Sequence, residues 1–207
     1  MAKKCKSRAY VDELLASRYE PHVEPINRYI DQLIEESGEW MPYVAPTYGG
    51  VNARLLAIFQ DPGTKTLADG GSGMLCLENN DLSAPRHQSH LENAGIDASE
   101  MQSWNAYPWF INRAPTAVEL ERAEPVLAHL IGLLPSLKVV MVHGGSAQDA
   151  WERFTWRHRD TVRGLEVIKT YHVSPQALQS RTPEERAGRV QKLIDDFDYA
   201  AQALRGV

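Results

Sequence analysis

The sequence contains only two cysteines, Cys5 and Cys76, in 207 residues. They do not form a Cys-x-x-Cys pair, and no group of His and Cys residues has the spacing of a zinc site. An iron–sulfur cluster held by four cysteines requires more cysteines than the chain contains. These absences predict a reduced, intracellular protein without a metal or another cofactor.

The sequence also lacks long apolar runs and an excess of positive charge. No run of 18 apolar residues occurs, so no membrane-spanning helix is predicted. Residues 1–8 are basic but are not followed by an apolar segment, so we interpret them as a flexible tail rather than a signal peptide. The net charge of −5 argues against binding nucleic acid through bulk charge. Residues 151–192 nevertheless contain nine Lys or Arg and five Asp or Glu, so the sequence allows a local basic face in this segment.

The length and the ordinary composition, with 43% hydrophobic residues, predict a single domain over residues 1–207. Amphipathic patterns predict helices over residues 9–20 and 23–37, separated by Pro21 and Pro25. A loop rich in Pro, Gly and Tyr follows at 40–50, so residues 9–50 precede a core that we place at 51–204.

Strand and helix patterns alternate along the core. Short apolar runs predict buried strands at 53–59, 104–108, 137–143 and 165–171. Helical patterns occur at 84–94, 116–134, 146–154 and 182–204, and Pro125 is expected to kink or split the second of these. Thr116 and Glu119 are spaced as a capping box. The alternation predicts an α/β fold, a three-layer α/β/α sandwich around a four-stranded, mostly parallel sheet.

Polar side chains lie where the predicted strands end. Gln60 and Asp61 follow the first strand, Asn105 lies in the second, and His172 follows the fourth. Ligands bind beyond the carboxyl ends of parallel strands, so we expect Asp61 and His172 to face one pocket. Two alternatives remain open, because an Asp before Pro-Gly is often a turn former and a lone His or Asn is often a packed polar residue. His143, after the third strand, is interpreted as structural.

Two motifs carry a resemblance to a known family. Phe59-Gln60-Asp61-Pro62-Gly63 resembles the water-activating motif of the uracil-DNA glycosylase superfamily, and His172-Val173-Ser174-Pro175 resembles its His-Pro-Ser-Pro motif. Asn105, the segment 112–116 and the Gly144–Ala147 turn occur in the order seen in its iron–sulfur branch, so the resemblance covers roughly residues 51–198. It implies a uracil-DNA-glycosylase-like fold and a monomeric DNA glycosylase acting in base excision repair. Such an enzyme hydrolyses the N-glycosidic bond of uracil or a related damaged base flipped out of DNA, and in a bacterium it would lie in the cytoplasm with the nucleoid.

The resemblance also implies roles for individual residues. Asp61 would position or activate the attacking water, and His172 would stabilise charge on the leaving base. Asn105 would read the Watson–Crick edge of the base. The other implied contacts are base-binding by Gln60, Phe59, Gly63 and Leu75, and DNA-binding by Ser174, Pro175, Gln176, Gly145 and Ser146.

Several positions depart from the family pattern. The cysteines of the iron–sulfur branch are absent, and Gly63 stands where the most uracil-selective branch has a tyrosine that blocks the thymine methyl group, so 5-substituted uracils are expected to fit. Residues 74–77 contain no aromatic to stack on the base, a role left to an aliphatic or sulfur side chain or to Phe59. Gln176 replaces the usual leucine wedge. Two alternative functions therefore stay open: a non-catalytic module that binds a base or nucleic acid, and a hydrolase of free nucleosides or nucleotides.

Overall fold

A computed structural model describes residues 3–206 of the chain. Its strands are β1 (Tyr43–Val44), β2 (Leu55–Phe59), β3 (Met74–Leu75), β4 (Met101–Asn105), β5 (Val139–His143) and β6 (Glu166–Thr170). Its α-helices are α1 (Arg8–Ala16), α2 (Glu24–Ser37), α3 (Ala84–Ala94), α4 (Ala117–Gly132), α5 (Gly145–Arg157) and α6 (Pro183–Arg205). No helix within residues 3–206 has both the length and the apolar character needed to cross a membrane.

The central sheet has four parallel strands in the order β4-β2-β5-β6. Phe59 pairs with Asn105 and Ile58 with Val142, so the carboxyl ends of the strands lie at one edge. The chain leaves β2 towards β4 on one side and leaves β5 towards β6 on the other. Open parallel sheets bind ligands beyond the carboxyl ends of their strands, so a ligand site is expected at this edge.

Helices cover both faces of this sheet. Ile58 lies in a cluster with α4 and α5, whereas the next residue, Phe59, contacts histidines that pack on Phe197 of α6. Successive side chains of a strand point to opposite faces. Helices α4 and α5 therefore cover one face of the sheet, and α6, together with α3, which carries His87, covers the other. The predicted α/β class with a parallel sheet and helices on both faces is therefore confirmed.

The second strand of the sheet begins earlier than the sequence indicates. We predicted residues 104–108, but the strand is Met101–Asn105. A further parallel pair joins β1, in the loop predicted at 40–50, to β3, for which no strand was predicted. Gln102 and Ser103 are polar yet buried, so no apolar run marks the true start of β4. Aromatic residues led us to extend the predicted strand to residue 108. They lie in the core instead, where Trp104, Tyr107 and Trp109 are each at most 3% exposed.

Two local features clarify the helix boundaries. Thr116 and Glu119 form the predicted capping box at the start of α4. Pro125 lies inside α4 and does not split it. Pro125 is on the exposed side of the helix, so the carbonyl that loses its N–H partner can be hydrated.

The N-terminal segment packs against the core. Lys4–Lys6 form a 3-10 turn, and the backbone N–H of Cys5 donates to the carbonyl of Glu78 at 3.2 Å. This packing differs from the flexible tail predicted for residues 1–8, of which residues 1 and 2 lie outside the described part of the chain. The difference arises because Glu78, a buried carboxylate, attracts Lys4.

Candidate active site

A pocket of about 280 Å³ opens at the carboxyl ends of β2 and β4. Six of the residues predicted for the site line it: Asp61, His172, Asn105, Phe59, Gly63 and Leu75. They come from four segments of the chain that only the parallel sheet brings together. The convergence expected from the strand ends is therefore observed for these side chains.

Asp61 is half-buried at the end of β2. The Gln60 side chain donates through Nε2 to Asp61 Oδ1 at 2.8 Å and to the carbonyl of Arg113 at 3.3 Å, so Gln60 orients the carboxylate without lining the pocket. Burial raises the pKa of Asp61, and hydrogen bonds from Gln60 and the Asn112 backbone oppose that rise. A carboxylate with a raised pKa is a better proton acceptor at neutral pH, as a general base requires.

The loop that follows Phe110 supports Asp61 through an unusual backbone. Asn112 has φ +53°, the only positive φ among the non-glycine residues that the structure describes. Asn tolerates this left-handed conformation better than most residues. The backbone of Asn112 is also one of the groups that lower the pKa of Asp61 and so favour its carboxylate form.

His172 lies just beyond β6, and its tautomer follows from its neighbours. The backbone N–H of Ser174 donates to His172 Nδ1 at 3.0 Å, so the proton of the neutral ring is on Nε2. Burial lowers the pKa of His172, while the charge of Asp81 opposes this shift. A neutral imidazole with a free N–H is a hydrogen-bond donor without a net charge.

Two contacts hold the His172 segment in place. Arg86 of α3 donates through Nε to the carbonyl of Val173 at 2.8 Å. Gly144, with φ +87°, lies so close that an added Cβ would be 3.2 Å from the Cβ of His172. A side chain at position 144 would therefore be strained in its backbone and would also push against His172.

Two buried carboxamides line the pocket, and each has a buried acceptor that is not used in the described structure. Asn105 is 4% exposed and Asn79 is 2% exposed, and in the described structure neither Oδ1 has a hydrogen-bond partner. The orientation of Asn79 is set because its Nδ2 donates to the carbonyl of Met74 at 2.9 Å. An unsatisfied buried acceptor costs roughly 1–3 kcal/mol, so a side-chain rotation that brings either Oδ1 to an N–H or O–H group of a ligand would recover part of that cost.

A cluster of histidine and phenylalanine rings lies beneath His172. Phe59 stacks on His143 with centroids 4.5 Å apart, and His87 contacts both rings edge-on at 5.2 and 5.3 Å. Burial lowers the pKa of His87 to about 3 and that of His143 well below its usual value. His143 does not line the pocket, which agrees with the structural role expected for it. Within residues 3–206, no group of three or more His, Cys, Asp or Glu side chains is arranged to hold a metal ion.

The residues predicted to bind DNA lie outside the pocket but next to it. Ser174, Pro175 and Gln176 begin two residues after His172, while Gly145 and Ser146 begin α5 beside Gly144. Gln176, Gly145 and Ser146 are exposed. Both segments therefore remain accessible to a ligand that extends out of the pocket.

Sequence reasoning missed part of the pocket wall. The additional lining side chains include Tyr48, Cys76, Asn79, Asp81, His87 and Ser103. The run of polar residues at 78–81, directly before α3, was the available signal for this wall. Leu75, Cys76 and Leu77 supply aliphatic and sulfur surface, and Phe59 and Tyr48 supply the phenyl rings. Trp104, Tyr107 and Trp109 do not line the pocket and pack in the core instead.

Comparison with known proteins adds no relative. No protein-family profile matches the chain, and no curated protein matches it at a significant level. Residues 3–206 form an α/β domain with an all-parallel four-stranded sheet and a pocket of mixed polar and apolar lining at its carboxyl edge. The side chains of that pocket, rather than the fold, carry the information on function.

Proposed function

We propose that the protein is a DNA glycosylase that hydrolyses the N-glycosidic bond of uracil or a related damaged base flipped out of DNA. The observation that carries this proposal is that a half-buried carboxylate, a neutral imidazole donor and an unpaired carboxamide line one pocket: Asp61, His172 and Asn105. Each of the three has the property that one part of this reaction needs.

Cleavage of an N-glycosidic bond separates charge. Positive charge develops on the sugar, and a carboxylate such as Asp61 stabilises it and accepts a proton from the attacking water. Negative charge develops on the departing base, and the Nε2–H of His172 stabilises it by donating a hydrogen bond. Because burial keeps His172 neutral, the ring donates this hydrogen bond without first losing a proton.

Recognition of the base is assigned to Asn105. Its carboxamide lines the pocket, and its buried Oδ1 has no partner in the described structure; turned towards a bound base, Oδ1 would accept a hydrogen bond from the N3–H of uracil. Cytosine has an acceptor at that position, so it would leave Oδ1 unsatisfied and would be rejected. Gly63 lies at the pocket with no atom within 4 Å of an added Cβ, which supports room for substituents on the base.

A duplex buries this bond inside the base stack, so the nucleotide must leave the helix to reach such a pocket. The exposed Gly145, Ser146 and Gln176 adjoin the segment that carries His172, which supports their assignment to the DNA backbone. The three residues are accordingly proposed as DNA contacts rather than base contacts.

The direct test is release of a base from labelled oligonucleotides. Single- and double-stranded oligonucleotides containing uracil, 5-hydroxymethyluracil, hypoxanthine or thymine glycol are incubated with the protein, and abasic sites are cleaved with alkali. We expect strand cleavage for at least one of these bases. Asp61→Asn is expected to lower the single-turnover rate about 10²- to 10⁴-fold with little loss of DNA binding, since it removes the base catalyst.

A matched control separates this effect from a general effect of lost charge. Asp149 is exposed on α5, away from the pocket, and Asp149→Asn is expected to leave the rate unchanged. Saturable DNA binding without base release would instead support a non-catalytic binding module. Release of base from free nucleosides that long DNA does not inhibit would support a nucleoside hydrolase. Full activity of Asp61→Asn on every substrate would contradict the role assigned to Asp61.

A further inference from the structure

The fold brings together the only two cysteines of the sequence, Cys5 and Cys76, which lie far apart along the chain. We propose that these residues form a redox modification site, in which a peroxide oxidises Cys5 and Cys76 then closes a disulfide with it. The proposal concerns the wall of the pocket and does not depend on the glycosylase activity.

Glu78 is the point at which the two cysteines meet. The backbone N–H of Cys5 donates to the Glu78 carbonyl at 3.2 Å. The Cys76 thiol donates to Glu78 Oε2 at 3.5 Å, and the Glu78 N–H donates back to Cys76 Sγ at 3.4 Å. The two thiols lie close enough that each shifts the pKa of the other. Both cysteines are reduced in this structure.

The N-terminal segment is held against Glu78 by further contacts. Lys4 Nζ lies 2.6 Å from Glu78 Oε1, and the Tyr10 hydroxyl donates to Glu78 Oε2 at 2.6 Å. Glu78 itself is only 7% exposed. Together these contacts hold the segment around Cys5 beside Glu78, on which the Cys76 side chain also packs.

The surroundings give the two thiols different roles. Cys5 is partly exposed and lines a surface hollow together with Lys6 and Lys65, whereas Cys76 is 4% exposed. The neighbouring Cys76 thiol lowers the pKa of Cys5, and the neighbouring Cys5 thiol together with burial raises the pKa of Cys76. A partly exposed thiol of lowered pKa next to a buried thiol is the arrangement in which the first is oxidised and the second resolves it.

The chemistry balances with hydrogen peroxide as the oxidant. The Cys5 thiolate attacks one peroxide oxygen, the O–O bond breaks, and Cys5 becomes a sulfenic acid while the other oxygen takes up a proton and leaves as water. Cys76 then attacks the Cys5 sulfur, the S–O bond breaks, and a second water leaves with the thiol proton. One peroxide is reduced and two thiols are oxidised to one disulfide.

This disulfide would tie the N-terminal segment to a wall of the candidate active site. Cys76 lines the pocket between Leu75 and Leu77. A covalent bond on Cys76 redirects its side chain, and the pocket surface changes with it. The site therefore offers a route by which oxidation alters ligand binding.

The test uses the full-length protein and hydrogen peroxide. After treatment and alkylation of remaining thiols, intact mass and non-reducing peptide mapping are expected to show one intramolecular bond between the Cys5 and Cys76 peptides. Before oxidation, Cys5 is expected to react with iodoacetamide at least about 10-fold faster than Cys76, because Cys76 is buried and less ionised.

Single-cysteine variants separate the two roles. Cys76→Ser is expected to accumulate a dimedone-reactive sulfenic acid at Cys5, and Cys5→Ser is expected to accumulate none at Cys76, with circular dichroism confirming that both are folded. Two free thiols after peroxide treatment of the wild type would overturn the proposal. So would disulfides that form only between molecules, or dimedone labelling of Cys76 in the wild type.

Discussion

Acid should destabilise this protein through the buried ring cluster, and His87 allows the effect to be calculated. His87 is 3% exposed, and its Nε2 has no hydrogen-bond partner in the described structure. Burial lowers its pKa from 6.5 to about 3 in the folded state. Between these two pH values the unfolded chain binds a proton that the folded chain does not, so stability falls as pH falls.

The size of the effect follows from the difference between the two pKa values. At pH 5 the imidazole of His87 is protonated in the unfolded chain but not in the folded one. Because pH 5 is 1.5 units below the unfolded pKa of 6.5, the free energy of unfolding is lower at pH 5 by about 2 kcal/mol. Above about pH 7.5 the contribution vanishes. For a chain of this length, 2 kcal/mol lowers the melting temperature by about 4–8 °C.

Urea denaturation at pH 7 and pH 5, followed by circular dichroism, measures this loss. His87→Leu keeps a side chain of similar size but removes the titrating group, so its free energy of unfolding is expected to fall by about 2 kcal/mol less than that of the wild type. His129→Leu, at an exposed imidazole on α4, serves as the control and is expected to behave like the wild type. Equal losses in the wild type and His87→Leu would refute the reasoning.

Three further predictions concern the pocket and the cysteines. The acid limb of the pH profile of kcat/KM is expected to lie above the usual pKa of a carboxyl, because burial raises the pKa of Asp61. The profile is also expected to lack an inflection at pH 6.5, because burial lowers the pKa of His172. An inflection at pH 6.5 would contradict a neutral His172. Gly63→Tyr is expected to lower kcat/KM for 5-substituted uracils relative to uracil by roughly 10-fold or more. Equal losses of kcat/KM on both substrates would show that the 5-position of the bound base does not lie next to residue 63. Closing the Cys5–Cys76 disulfide is expected to raise the free energy of unfolding by up to about 4 kcal/mol, since it closes a loop of about 70 residues, and calorimetry with and without reductant measures this.

The sequence predicted the class of the fold because hydrophobic runs and helical periodicity alternate so regularly. β2, β5 and β6 were placed within two residues of their observed bounds, and α3 was placed at its observed limits. β4 was misplaced because Gln102 and Ser103 are polar side chains buried in the sheet, which a hydrophobicity pattern cannot reveal. β1 and β3 are two residues each, too short to produce any alternation.

The residues of the candidate site were likewise only partly predictable from the sequence. Asp61, Asn105 and His172 were predictable because each lies at a strand end, where parallel sheets expose their ligand groups. Asn79 and His87 were not, because their positions depend on how the segment before α3 folds over the sheet. The contacts that decide the properties of the site, such as Ser174 N–H to His172 Nδ1, are tertiary and leave no mark in the sequence.

The parallel sheet also has a consequence for the order of events during folding. The pocket draws on the ends of β2 and β4 and on the segment after β6, so no stretch of the chain that lacks β6 contains a complete site. Contacts between residues so distant in sequence form slowly, because a long loop must close before they are made. We expect recognition of a base to appear only with the final docking of β6, and an N-terminal fragment that stops before Glu166 to fail to bind one.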